Sequence, residues 1–153
     1  MSRSGRSLVT DTVLTVFQVH GRLIEWGDSF VAPFGLTSSR WQMLGALALA
    51  DTPLTTPRIA EAMGVTRQGA RKQLSRLISD GLVEERTNPH HQRSPLYALT
   101  PAGQALYVQV EARWNAHADA LAQDLDPADL EAALRVLRRL HREHVSTPEG
   151  ETS

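Results

Sequence analysis

Between Arg67 and Ser79 the chain reads RQGARKQLSRLIS, with four positive charges and no acid. At about 100° per residue, with Leu74 at the inner centre, Gln68, Lys72, Ser75, Arg76 and Ser79 point away from Ala70, Leu74, Leu77 and Ile78. Arg71 falls on the flank and Arg67 in the first turn. These side-chain types suit a nucleic-acid duplex. Glutamine pairs in bidentate fashion with adenine, and arginine or lysine with guanine O6 and N7. Gly69 lets the helix start approach a duplex closely, and the free N–H groups behind the cap Thr66 favour a phosphate. A solvated face is the ordinary explanation of exposed Arg and Lys on a helix. Here the charges are one-signed and a hairpin carrying Arg93 follows, which reverses that reading. Arg86 stays open between a phosphate contact and an ion pair with Glu84 or Glu85.

Other constellations are weaker. The chain has six histidines. His141 and His144 share a face, and His20 and His117 sit on inward stripes. No HExxH is present and no carboxylate joins at ligand spacing, so satisfied structural histidines are expected and no metal site is assigned. His90 and His91 read as solvated. Trp26, Trp41 and Trp114, with Phe30, Phe34 and His20, could line an apolar cavity; as single residues they read first as core. No GxSxG, phosphate-cradling glycine loop or GxGxxG occurs, and the Asp and Glu pairs fall on solvent faces. The expectation is a protein that is no enzyme and needs no cofactor.

Two short helices joined by a tight turn and followed by a β-hairpin describe a winged helix-turn-helix, whose second helix enters the DNA major groove. Thr56-Pro57 reads as N-cap and first-turn proline of the first helix of the pair. Gly64 stops it. Thr66 caps the second and Gly81 closes it. Strands are expected over Leu82 to about Thr87 and Leu96 to Leu99, around the turn cluster Asn88-Pro89-His90-His91. Pro95 suits only an edge or a strand start, which puts the hairpin at the margin of the fold. Longer helices flank this module. One spans residues 8–31, with Val9, Val13, Val16, Phe17, His20, Leu23, Ile24 and Phe30 at helical spacing. One is capped by Thr37 or Ser38, one starts at Thr100-Pro101, and one at Asp126-Pro127 with Leu130, Leu134, Leu137, His141 and His144 on a face. Exposed stripes on the terminal helices find their natural partner in a second copy.

At 153 residues the chain fits one domain, and its 41% apolar and 22% charged content is that of an ordinary globular protein. It has no cysteine, which excludes disulfide scaffolds, Cys-based zinc sites and thiol chemistry. No apolar run approaches the ~18 residues of a membrane span, and no signal-peptide core follows the basic start; the expected location is cytoplasmic, with no membrane partner. Net charge is −1. Its distribution is uneven. Residues 52–99 carry seven Arg and Lys against four acids, while residues 100–153 carry five against nine.

Four stretches carry a family resemblance: RLIEWGDSFVAPFGLTSSRWQML, TPRIAEAMGVTRQGARKQLSRLISDGLVEER, NPHHQRSPLYALTPAG and the helical tail to His144. Over about residues 8–145 the chain resembles the MarR family of bacterial transcriptional regulators; LISDGLVEER and LTPAG are specific as a set. The resemblance implies a mostly α fold with a small β-hairpin wing, a winged helix-turn-helix lobe at 37–100, and dimerisation helices at 8–36 and 101–145. Residues 146–153 are expected to be a disordered tail. It implies a homodimer and places Arg93 as a minor-groove probe, with double-stranded DNA as partner. Family wings commonly show Asp-x-Arg, whereas this chain has His91-Gln92-Arg93. Relatives bind small aromatic or anionic effectors at the lobe junction, which points to His20, Trp26, Phe30, Trp41 and Trp114. The expected DNA contacts are Thr66, Arg67, Gln68, Arg71, Lys72, Ser75, Arg76, Arg86 and Arg93. The function so implied is a repressor that binds a pseudo-palindromic operator as a homodimer and is released by such an effector. Two alternatives stand beside it: a winged-helix protein-interaction module without DNA binding, and a His-based metal-responsive regulator.

Overall fold

The computed structural model describes residues 2–145; the expected tail at 146–153 lies outside them. The chain divides into two compact units, Met1–Glu111 and Ala112–Ser153.

The first unit opens with α1 (Gly5–Val31), capped by the Ser4 hydroxyl, which accepts from the Ser7 N–H. A 3-10 turn (Ala32–Phe34) ends on Gly35, and α2 (Ser38–Leu49) follows with Thr37 as its cap. Next come β1 (Leu54–Thr55), α3 (Thr56–Met63), α4 (Arg67–Ser79), β2 (Val83–Arg86) and β3 (Leu96–Leu99). The helix α5 (Pro101–Ala122) starts in this unit, where the Thr100 hydroxyl accepts from the Gly103 N–H at 3.0 Å. The second unit holds the remainder of α5 and α6 (Pro127–Glu143), capped by Asp126.

Some local expectations are corrected. The sheet has three antiparallel strands in the order β1-β3-β2, not two. Leu54 pairs with Tyr97 and Thr55 with Leu96. That pairing holds Thr55 extended, so Thr55 and not Thr56 is the cap residue of α3; Thr56 is its buried first residue. β3 is therefore the central strand, and Pro95 stands just before its start, where no ladder N–H is lost. β2 begins at Val83 because the Leu82 N–H is bonded to the Leu77 carbonyl at the end of α4.

The core of the first unit joins Val31, Met43, Leu44, Ile59, Leu74, Leu77, Val83 and Val110. Leu74, Leu77 and Ala70 bury one face of α4. The opposite face is thereby turned outward. Gly64, at φ 65, makes the left-handed turn that separates α3 from α4 by so few residues. Behind α4, α5 sits hard against the turn at Gly81-Leu82. The Thr100 hydroxyl donates to the Gly81 carbonyl at 2.7 Å, and a Cβ on Gly103 would lie 2.0 Å from the Leu82 oxygen.

Candidate nucleic-acid interface

The start of α4 is organised by Thr66, whose hydroxyl accepts from the Gly69 N–H at 3.0 Å. The cap leaves the first-turn N–H groups facing outward beside Arg67 and Gln68, the arrangement that attracts an anion. Arg67, Gln68, Arg71, Lys72, Ser75 and Arg76 are all exposed. The expected outer residues are thus exposed, while Ile78, expected on the inner face, is exposed as well. Arg67, Arg71 and Lys72 enter no ion pair among the described residues. Arg76 does: its Nε lies 3.2 Å from Asp80 at the end of the same helix.

Arg86 takes the ion-pair alternative. Its Nε donates to the Glu84 carboxylate at 2.9 Å. Strand alternation explains the choice, since residues two apart share a face and Glu85 points to the other. Arg93 stands exposed on the loop between β2 and β3 and has no ion pair among the described residues.

That loop is ordered by Asn88, which by residue type and neighbours is a turn former. Asn88 is buried; its Nδ2 donates to the Ser94 carbonyl at 2.9 Å and its Oδ1 accepts from the His90 N–H at 3.1 Å.

Of the five residues expected to line an effector pocket, Trp26, Phe30 and Trp41 are gathered within the first unit. Trp26 and Phe30 stack with centroids 4.6 Å apart, and Trp41 meets Phe30 at 5.6 Å. His20 is exposed on α1. Trp114 belongs to the second unit, 5.8 Å from the His117 ring. A cleft of about 210 Å³ lies elsewhere, lined in part by Asp51, Thr52, Arg86, Tyr97 and Gln104. Among the described residues no group of three or more His, Asp or Glu could hold a metal. His144 Nδ1 is 2.8 Å from the Leu140 carbonyl oxygen, a local helix-end contact. Burial pushes the Tyr107 phenol above its ordinary value, with Glu111 adding to the effect.

A model of the MarR family matches residues 34–94, which hold α2 to α4, β1, β2 and most of the wing loop. An uncharacterized protein of Mycobacterium tuberculosis is 38% identical over 128 residues, covering 84% of this chain and 88% of the relative. Among solved structures, a MarR family transcription regulator is 26% identical, with a TM-score of 0.72 over 91% of this chain and 94% of that one. The chain belongs to the MarR family. The fold is also that of the MepR–DNA complex of S. aureus, with a TM-score of 0.74 at 19% identity over 86% of this chain and 96% of that one. MarR proteins are transcription regulators, not enzymes. In this MarR chain His91 and Gln92 precede Arg93, and Asn88 is the loop side chain bonded to the Ser94 and His90 backbone. The signal for it was present in the sequence. An Asn-Pro opening a loop can bond the backbone two residues on, but the reach to Ser94 depends on the loop's closure.

Proposed function

We propose that this MarR protein is a sequence-specific DNA-binding repressor that works as a homodimer. The observation that carries the reading is the outer face of α4. Arg67, Gln68, Arg71, Lys72, Ser75 and Arg76 are exposed opposite buried Ala70, Leu74 and Leu77, and the basic residues have no acid among them. Thr66 holds the helix start, Gln68, Arg71 and Lys72 read base edges, and Arg76 touches the backbone. Arg93 on the wing enters the flanking minor groove, where narrow A·T tracts concentrate negative potential. Arg86 is tied to Glu84 as Arg76 is to Asp80, and would have to leave that pair to reach a phosphate. The S. aureus MepR structure of the same fold is a DNA complex, which supports the reading.

Residues 37–100 form the DNA lobe in this proposal, and 8–36 with 101–145 the dimerisation helices. Phe17 on α1 is 70% exposed, and Val9, Leu23, Leu130, Leu134 and Leu137 are exposed with it. Large apolar groups at helical spacing on two terminal helices are costly in water and fit a partner surface. Two α4 helices about 34–36 Å apart then meet successive major grooves of a pseudo-palindrome. The effector reading is carried by the half-buried Trp26–Phe30–Trp41 cluster, whose aromatic chemistry matches that of a small aromatic compound.

Selection of bound sequences from random DNA, repeated with a panel of small aromatic acids, tests the proposal. Enrichment of a two-fold symmetric site supports it. Recovery of no preferred sequence overturns it in favour of an interaction module.

A further inference from the structure

The loop between β2 and β3 holds one polar side chain that the fold buries. Asn88 is 8% exposed, whereas Pro89, His90, His91, Gln92 and Arg93 around it are exposed. Both ends of its amide are used. Nδ2 donates to the Ser94 carbonyl at 2.9 Å, and Oδ1 accepts from the His90 N–H at 3.1 Å. Its backbone carbonyl accepts from the His91 N–H at 3.3 Å, and the His91 carbonyl accepts from the Ser94 N–H at 3.1 Å. The loop is closed between Asn88 and Ser94 by these four bonds, and Arg93 is the residue immediately before the closure.

We infer that Asn88 is the positioning residue of the wing, which presents Arg93 to the DNA without an acidic partner. The chemistry of the choice matters. An acidic side chain beside Arg93 would orient it through an ion pair and cancel part of its charge. A neutral amide bonded to backbone orders the loop and leaves the guanidinium at full charge for the groove. Buried amides carry this task well, because a donor or acceptor left unmade in the interior is costly. The inference rests on the reading of Arg93 as a DNA probe.

The test has a DNA-free arm and a DNA arm, both on the full chain. Trypsin cleaves after Arg93, and a closed loop resists it. Asn88→Ala should speed cleavage at Arg93 well below the temperature at which the chain unfolds. Asn88→Asp keeps an acceptor for His90 but loses the donor to Ser94; it should do the same and serves if the alanine variant melts early. In the DNA arm, operators with A·T-rich and G·C-rich flanks are titrated. Asn88→Ala should weaken binding about three- to tenfold on A·T-rich flanks, the worth of one or two hydrogen bonds. It should leave the base preference of α4 intact and add nothing in an Arg93→Ala background. Unchanged cleavage, or losses that simply add to those of Arg93→Ala, would overturn the inference. If Arg93→Ala binds like wild type on both flanks while cleavage still accelerates, the DNA role of the wing fails and Asn88 remains a loop staple only.

Discussion

The Asp28 carboxylate, on α1, accepts a 2.7 Å hydrogen bond from the backbone N–H of Ser38, the first residue of α2. Ser38 returns the contact, its hydroxyl donating to the Ile24 carbonyl at 2.8 Å. A first-turn N–H of α2 is thereby satisfied from the preceding helix, with a negative charge at the positive end of the helix dipole. The joint fixes the angle between α1 and α2, and α2 carries Met43 and Leu44 into the core beneath α4.

Removing that carboxylate should loosen the joint. Asp28→Ala is expected to cost about 1 kcal/mol, the usual worth of a capping acceptor, and to lower the melting temperature by about 2–4 °C. Calorimetry checks it; an unchanged transition would show that water replaces the carboxylate at no cost.

Two glycines at close approaches should differ in their tolerance of alanine. At Gly103 the new Cβ would lie 2.0 Å from the Leu82 carbonyl oxygen, a backbone atom held by bonds of its own. At Gly27 it would lie 2.4 Å from the Ser38 hydroxyl, which can rotate away at the loss of its bond to Ile24. Gly103→Ala should therefore cost more than Gly27→Ala, about 3 kcal/mol against about 1 by the usual range for overpacking. Urea titration of both variants gives the order, and the reverse order would mean that α5 shifts freely.

Base reading and backbone contact should separate by mutation. Gln68→Ala or Lys72→Ala should flatten preference at a defined base pair of each half-site, at about 1–3 kcal/mol. Arg93→Ala should weaken binding most where the flanks are A·T-rich. Competition with single-base operator variants measures both.

Salt dependence should report Arg76. Arg76→Ala is expected to weaken all sequences alike and to reduce the slope of log affinity against log salt by about 0.9. Asp80→Asn, which releases Arg76 from its 3.2 Å pair, should tighten binding at low salt. Anisotropy titrations over a salt series decide. A changed base preference in Arg76→Ala would move this residue from the phosphates to the bases.

The apolar stripes should answer to a buried charge. Leu134, 47% exposed on α6, can take Leu134→Glu without disturbing a core. The variant should sediment as a monomer at micromolar concentration and lose operator binding by tenfold or more, since two half-sites are no longer engaged together. A variant that still sediments as a dimer would remove α6 from the proposed interface.

Local chemistry alone determined most of the helical frame. Thr37, Thr66, Thr100 and Asp126 cap helices as their residue types and neighbours require, because a cap bond spans only two or three residues. The outer face of α4 was equally legible, since a helical period of 3.6 sorts Leu74 and Leu77 from Lys72 and Arg76 without reference to anything else. Alternation along β2 would also have chosen Glu84 over Glu85 for Arg86. Only the tertiary structure decided the rest. β1 is two residues long and has no period of its own; it exists because Tyr97 and Leu96, some forty residues away, offer it a ladder. That pairing moved the cap of α3 from Thr56 to Thr55. The Asn88–Ser94 and Asp28–Ser38 bonds join residues whose approach is set by a closed loop and by two packed helices. A polar side chain carries its donors and acceptors in the sequence, but which backbone group comes within 3 Å is settled by the packing that brings distant segments together.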